Sequence, residues 1–156
     1  MHESAQQSSD ENKNTTNAPG VSERTGAPQN PRALADAVYD FLEEKKAEDL
    51  VLMDLEHVNP YFSIFLIATA NSQVQLKSLV RDIYKKFHDD LPSNIGGIRP
   101  DDVASGWVIV DFIDVVVHIF LAEQRSFYNL ERLWGDGHIV RQTPRKSADI
   151  SRQPLD

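Results

Sequence analysis

Eight consecutive residues, Ser63 to Ala70 (SIFLIATA), constrain this chain more than any other feature. The run carries no charge and is apolar at odd and even positions alike, so an extended segment presents apolar side chains on both faces. Such a strand needs cover on both sides, either from two helix layers or from one helix layer and a partner. A run of this length is far too short to cross a membrane. The chain therefore has to build a sheet around this segment.

The flanking sequence supplies the other parts. Asn30-Pro31 reads as a helix N-cap followed by proline at the first helical position. Leu34, Val38, Phe41 and Leu42 recur at helical spacing and predict an amphipathic helix over residues 31–46. Asp49 to Glu56 alternates as a short strand that Pro60 closes off. After the central run, Ser72 with Gln75 three residues later forms a capping box. Leu76, Leu79, Val80, Ile83, Tyr84 and Phe87 then make a helical stripe, while Lys77, Arg81, Asp82 and Lys85 form its solvated face. Leu91 to Gly106, with its prolines and glycines, reads as a long loop. Trp107–Phe112 and Asp114–Leu121 predict an antiparallel hairpin with a tight turn. Glu123 to Trp134 reads as one last helix, with Phe127, Leu130 and Trp134 on one side. The predicted order is α-β-β-α-β-β-α, an α/β (α+β) fold with a mixed sheet.

Nearly all large apolar residues lie between Leu34 and Trp134, so residues 30–134 are expected to form the domain. Residues 1–29 are Ser-, Asn-, Gln- and Pro-rich and predict a disordered arm; residues 135–156 predict a flexible tail. The absence of cysteine excludes disulfides, thiolate metal sites and a cysteine nucleophile. The polar, acidic start resembles no signal peptide, which makes the cytoplasm the expected compartment. Within residues 30–134, seventeen Asp and Glu face ten Lys and Arg. Nucleic-acid affinity rests on cations displacing counterions, so this balance argues against direct RNA or DNA binding by the core and suits a basic protein partner.

The run Asp111 to Phe120 (DFIDVVVHIF), then Glu123, Arg125 and Tyr128, then Leu130 to Asp136 (LERLWGD), resembles the ribosomal silencing factor family, also called Iojap-like. Phe65 to Ser72 (FLIATANS) resembles that family's second strand and helix start, and the likeness extends over about Ala33 to Asp136. The resemblance implies a nucleotidyltransferase-like fold without the catalytic residues. It implies binding to the large ribosomal subunit through that subunit's fourteenth protein, a steric block to small-subunit joining, and lowered translation when nutrients are short. Organellar relatives imply the alternative of a large-subunit maturation factor. A homodimer of the free protein is compatible with the same resemblance. The family usually has glycine where this chain has Ile113, so either the hairpin turn differs in geometry or its register shifts by one. Ala70 stands where the family commonly has a glycine, which affects only the strand-to-helix bend.

The candidate partner-binding residues are Trp107, Asp111, Asp114, His118, Glu123, Tyr128 and Trp134. A divergent nucleotidyltransferase would need carboxylates two apart on a strand to share a metal; Asp111 and Asp114 are three apart across a turn. No catalytic residue, metal or cofactor is expected. Aspartates also cap tight turns, so Asp111 fits turn support and partner contact equally. On strict alternation His118 shares a face with Asp114 and Val116, where a lone histidine is more often structural than a ligand. Tyr128 and Trp134 fit core and interface equally, although interface hot spots favour Trp, Tyr and Arg. Glu123 also suits a helix N-terminus. Arg141, Arg145, Lys146 and Arg152 are too sparse for more than weak contact with ribosomal RNA.

Overall fold

The first helix forms where capping and periodicity agree. In the computed structural model, which describes residues 30–93, 97 and 99–144, α1 spans Pro31–Glu44. The Asn30 side chain accepts a 2.7 Å bond from the Ala33 N–H, and Pro31 fills the position that needs no donor. Strands β1 (Glu48–Asp54) and β2 (Ile64–Ala70) follow, then α2 (Gln73–Lys86). Ser72 caps α2 by accepting from the Gln75 N–H at 3.1 Å, and Gln75 reaches back to the Asn71 N–H, one residue before the cap itself. After a short 3-10 turn come α3 (Pro100–Ser105), β3 (Trp107–Asp111), β4 (Val115–Leu121), α4 (Ala122–Tyr128), α5 (Leu130–Leu133) and β5 (His138–Gln142).

The five strands lie in the order β3-β4-β2-β1-β5. β2 and β4 are parallel, and every other neighbouring pair is antiparallel, which makes the sheet mixed as expected. β2 takes the middle place with all seven residues buried, as its two-sided apolar pattern requires. On one face, α1, α2 and α3 bury a core that includes Leu42, Leu50, Leu66, Leu76, Ile83, Val117 and Ile119. On the other, α4 and α5 cover a smaller cluster of Val51, Met53, Leu55, Phe65, Ile67, Val116, Phe120 and Leu130.

Three expectations are corrected. The stretch Leu91–Gly106 is not all loop: Pro100 starts α3, and Gly106 ends it at φ 83°. A side chain is excluded there, because a Cβ would lie 2.8 Å from Gln124. The last helix is two pieces, since Asn129 turns left-handed at φ 44° and restarts the chain as α5. That break takes Phe127 off the core side and leaves it 80% exposed. Residues 138–142, assigned from sequence to a flexible tail, form β5 against β1, with Val51 opposite Gln142. Residues 1–29 and 145–156, with Arg145, Lys146 and Arg152, lie outside the described residues. Arg141 is engaged within the fold: it stacks over Tyr39 at 3.8 Å and donates to Asp36 at 3.2 Å and to Asp40.

The hairpin turn resolves the question raised by Ile113. Its φ is 80°, the conformation glycine adopts freely, and the strand register is unbroken. Asp114 N–H donates to Phe112 C=O at 3.1 Å, a γ-turn centred on Ile113, and Asp111 Oδ1 accepts from the Ile113 N–H at 2.7 Å.

Candidate partner-binding site

Alternation along β3 and β4 sorts the candidate residues by face. Val108 and Val110 point into the helix-covered core, so Trp107, Ile109 and Asp111 point the other way. In β4, Val115, Val117 and Ile119 belong to that same core, leaving Val116, His118 and Phe120 on the opposite face. Ile109 sits directly opposite His118, and Trp107 opposite Phe120.

A continuous network of rings results. Trp107 stacks on Phe120 at 5.0 Å between centroids and tilts against Tyr128 at 4.5 Å. His118 meets Phe65 edge-on at 4.5 Å; Phe65 meets Trp134 at 5.8 Å; Phe62 closes the group at 4.7 Å from Phe65 and 5.9 Å from Trp134. The interior of this network is buried, while Phe62, Trp107 and Trp134 are half-buried at its rim and Tyr128 is 46% exposed. Phe127, 5.1 Å from Tyr128 between ring centroids, extends the apolar surface, and Leu133 of α5 is exposed as well.

His118 lies beneath the rim. Trp107 Nε1–H donates to its Nδ1 at 3.2 Å. Burial among apolar rings disfavours the imidazolium and pushes its pKa down to about 4, so the ring is neutral at physiological pH. Indole nitrogen only donates; Nδ1 is therefore the acceptor and the proton resides on Nε2. That Nε2 is buried and has no hydrogen-bond partner among the described residues.

The structure brings Trp107, His118 and Tyr128 together and joins Trp134 to them through Phe65. The carboxylates stand differently. Asp111 shares the ring-bearing face but is exposed and braces the turn. Asp114 is exposed and, contrary to the alternation reading, lies in the turn outside β4; its C=O accepts from the N–H groups of Ser63 and Ile64. Glu123 is exposed in the first turn of α4. All three are exposed, at the end of β3, in the hairpin turn and at the start of α4, elements that border the ring-bearing face with negative charge.

Sequence reasoning missed the residue that holds this surface in place. The Arg125 side chain, 13% exposed, leaves α4, donates to the Asp49 C=O, and reaches Thr69 Oγ1 at 2.7 Å. It also grips both carboxylate oxygens of Glu131 in α5 at 3.1 Å. One guanidinium thus ties both short helices to β1 and β2, at the floor of a polar cleft of about 500 Å³ lined also by Asn129 and Gln142. Arg125 and Glu131 are six apart, a spacing that no continuous helix brings together, and Thr69 is 56 residues away. No local signal marks those contacts. Phe120 alone was open to discovery, through its alternation with His118.

Among the described residues no three His, Asp or Glu side chains gather as metal ligands would, and no helix is long and apolar enough to cross a membrane. The ring network offers contact and the donors of His118, Tyr128 and Trp134, but no nucleophile paired with a base.

The sequence pattern of the family described as "Ribosomal silencing factor during starvation" matches residues 28–154. The chain belongs to the ribosomal silencing factor family. The chain is 40% identical to Ribosomal silencing factor RsfS of Bacillus subtilis over 71% of its length and 92% of that protein's. It is 34% identical to the chloroplastic protein Iojap of Zea mays, over 72% of this chain and 52% of that one. It is 29% identical to the mouse protein named Mitochondrial assembly of ribosomal large subunit protein 1, over 74% and 50% respectively. Among solved structures, one from Chromobacterium violaceum superposes with a TM-score of 0.59 at 28% identity, covering 69% of this chain and 88% of that one. One from Bacillus halodurans gives 0.56 at 29%, covering 70% and 98%. The family match runs past β5, so the strand absent from the sequence reading lies within the matched region.

Proposed function

We propose that this member of the ribosomal silencing factor family binds the large ribosomal subunit through its fourteenth protein, blocks joining of the small subunit and lowers translation when nutrients are short. It acts by occupancy and catalyses no reaction. Family membership supports the ribosomal partner. The observation that carries the docking surface is the ring network itself: Trp107, Tyr128 and Trp134 stand partly exposed at the rim of one sheet face, continuous with Phe127. Asp111, Asp114 and Glu123 fringe it with negative charge, suited to the basic side chains of a ribosomal protein and repellent to RNA phosphate.

Sedimentation with separated subunits tests this. The protein is expected to travel with the large subunit alone and to reduce the yield of joined ribosomes. Tyr128→Ala with Trp134→Ala is expected to weaken binding by at least tenfold in a chain that remains folded. Unchanged binding removes both residues from the site. A second reading, large-subunit maturation, is favoured by the name of the mouse relative. It predicts accumulation of immature large subunits on loss of the protein, with joining of mature subunits unaffected.

A further inference from the structure

We propose that His118, through its Nε2–H, donates a hydrogen bond to a carbonyl or carboxamide oxygen of the ribosomal protein that docks on the aromatic face. The inference rests on the docking surface argued above and names the chemistry at its centre. His118 is 5% exposed, and its Nδ1 is committed to Trp107, which leaves Nε2 as a buried donor with no partner among the described residues. A buried polar group left unpaired destabilises a fold, and an apolar ring of similar shape would remove the penalty. The Trp107 bond uses Nδ1 alone, and nothing among the described residues uses Nε2. Phe65 and Phe120 beside it show that the face accepts aromatic hydrocarbon. The group therefore has its use outside the isolated domain.

Position supports the assignment. β3 is an edge strand; Ile109, directly opposite His118 on it, is 46% exposed, and Trp107, the ring bonded to His118, is half-buried. Phe65 and Trp107 pack against His118 on the ring-bearing face, so a partner that reaches Nε2 has to turn a ring aside and changes the environment of an indole that fluorescence reports. The acceptor is a neutral protein oxygen, because the acidic fringe of Asp111, Asp114 and Glu123 disfavours both a partner carboxylate and an RNA phosphate.

The test compares the full chain with His118→Phe and His118→Gln, following thermal unfolding, binding to purified large subunits and binding to their isolated fourteenth protein. His118→Phe removes an unpaired buried donor but also the acceptor of Trp107 Nε1–H, and is expected to unfold near the temperature of the parent chain while binding both targets about fivefold more weakly, the scale of one neutral hydrogen bond. His118→Gln keeps an N–H and is expected to recover part of the loss. Affinity thus falls without a matching loss of stability, which a purely structural histidine does not produce. Equal binding by His118→Phe overturns the inference and leaves the docking surface standing. Weaker binding to the subunit with unchanged binding to the isolated protein assigns the acceptor to RNA and also overturns it. Failure of the parent chain to bind any subunit overturns the functional reading and this inference together. If His118→Phe does not fold, the Nε2–H proton resonance of the parent chain decides: a downfield shift with slowed exchange on adding the isolated ribosomal protein is expected, and an unchanged resonance refutes the bond.

Discussion

The two faces of the sheet are built from the same strands and differ in almost everything else. One lies under α1, α2 and α3; its core is mainly aliphatic, with Tyr39, Phe41, Phe87 and Phe112 as its buried rings, and is almost wholly buried. The other is roofed by two helices of seven and four residues, is rich in rings, and contains an unpaired donor. The first face holds the fold together by burying apolar area. The second is covered only in part, with ring edges left at its surface. On the proposed function, stability and recognition fall on opposite sides of one sheet.

The largest expected effect lies on the helix-covered side. Leu66→Ala, a fully buried truncation in the central strand, is expected to destabilise the domain by roughly 4 kcal/mol in urea unfolding. A change under 1 kcal/mol would show that this face is not the stabilising one. Next comes acid, which probes the ring-bearing side. The His118 pKa lies below its unfolded value, so the unfolded chain takes up the proton first and stability falls with pH. The contribution is complete above about pH 6.5, declines toward pH 4, and amounts to roughly 3 kcal/mol. His118→Phe should flatten this part of a stability–pH curve, and an unaltered curve would mean that the imidazole is not buried as described.

Arg125→Ala ranks third. It releases both short helices from β1 and β2 and leaves Glu131 without its partner, with an expected loss of about 2 kcal/mol and a red shift of Trp134 emission. Arg125→Lys should recover only a part, since an ammonium cannot grip both Glu131 oxygens and Thr69 at once. The smallest effect is at the hairpin tip. Ile113→Gly relieves a positive φ at a side chain 60% exposed and is expected to stabilise the domain by about 1 kcal/mol in thermal unfolding.

What could be read from the sequence follows the range of each interaction. The burial of β2, the Asn30 and Ser72 caps and the α2 stripe depend on residues within one or two turns, and the structure reproduces them. The order of the first four strands with α1 and α2, and the mixed sheet, followed from those local signals. The β5 strand alternates, but its pairing with β1 joins residues some ninety positions apart, and a polar setting hid it. The break at Asn129 was concealed because Phe127, Leu130 and Trp134 keep helical spacing across it. Asn129 was the one clue, as asparagine tolerates the left-handed conformation. At the site, composition drew attention to Trp107, Tyr128 and Trp134, whereas Asp114 was placed on the wrong face by extending strand alternation into a turn. The role of Arg125 depends entirely on groups that only the folded chain assembles.

The parallel pairing of β2 with β4, and the antiparallel steps to β1 and β5, leave β4 and β5 pointing the same way with two strands between them. The segment carrying Tyr128 and Trp134 must therefore travel about 14 Å across the sheet before the chain can re-enter it. It is a bridge anchored at both banks, and its span fixes its length. Insertions or deletions between residues 122 and 137 would mis-seat the abutments, and a synthetic peptide copying the segment would lack them. On the proposed function, recognition belongs to the span and its supports together.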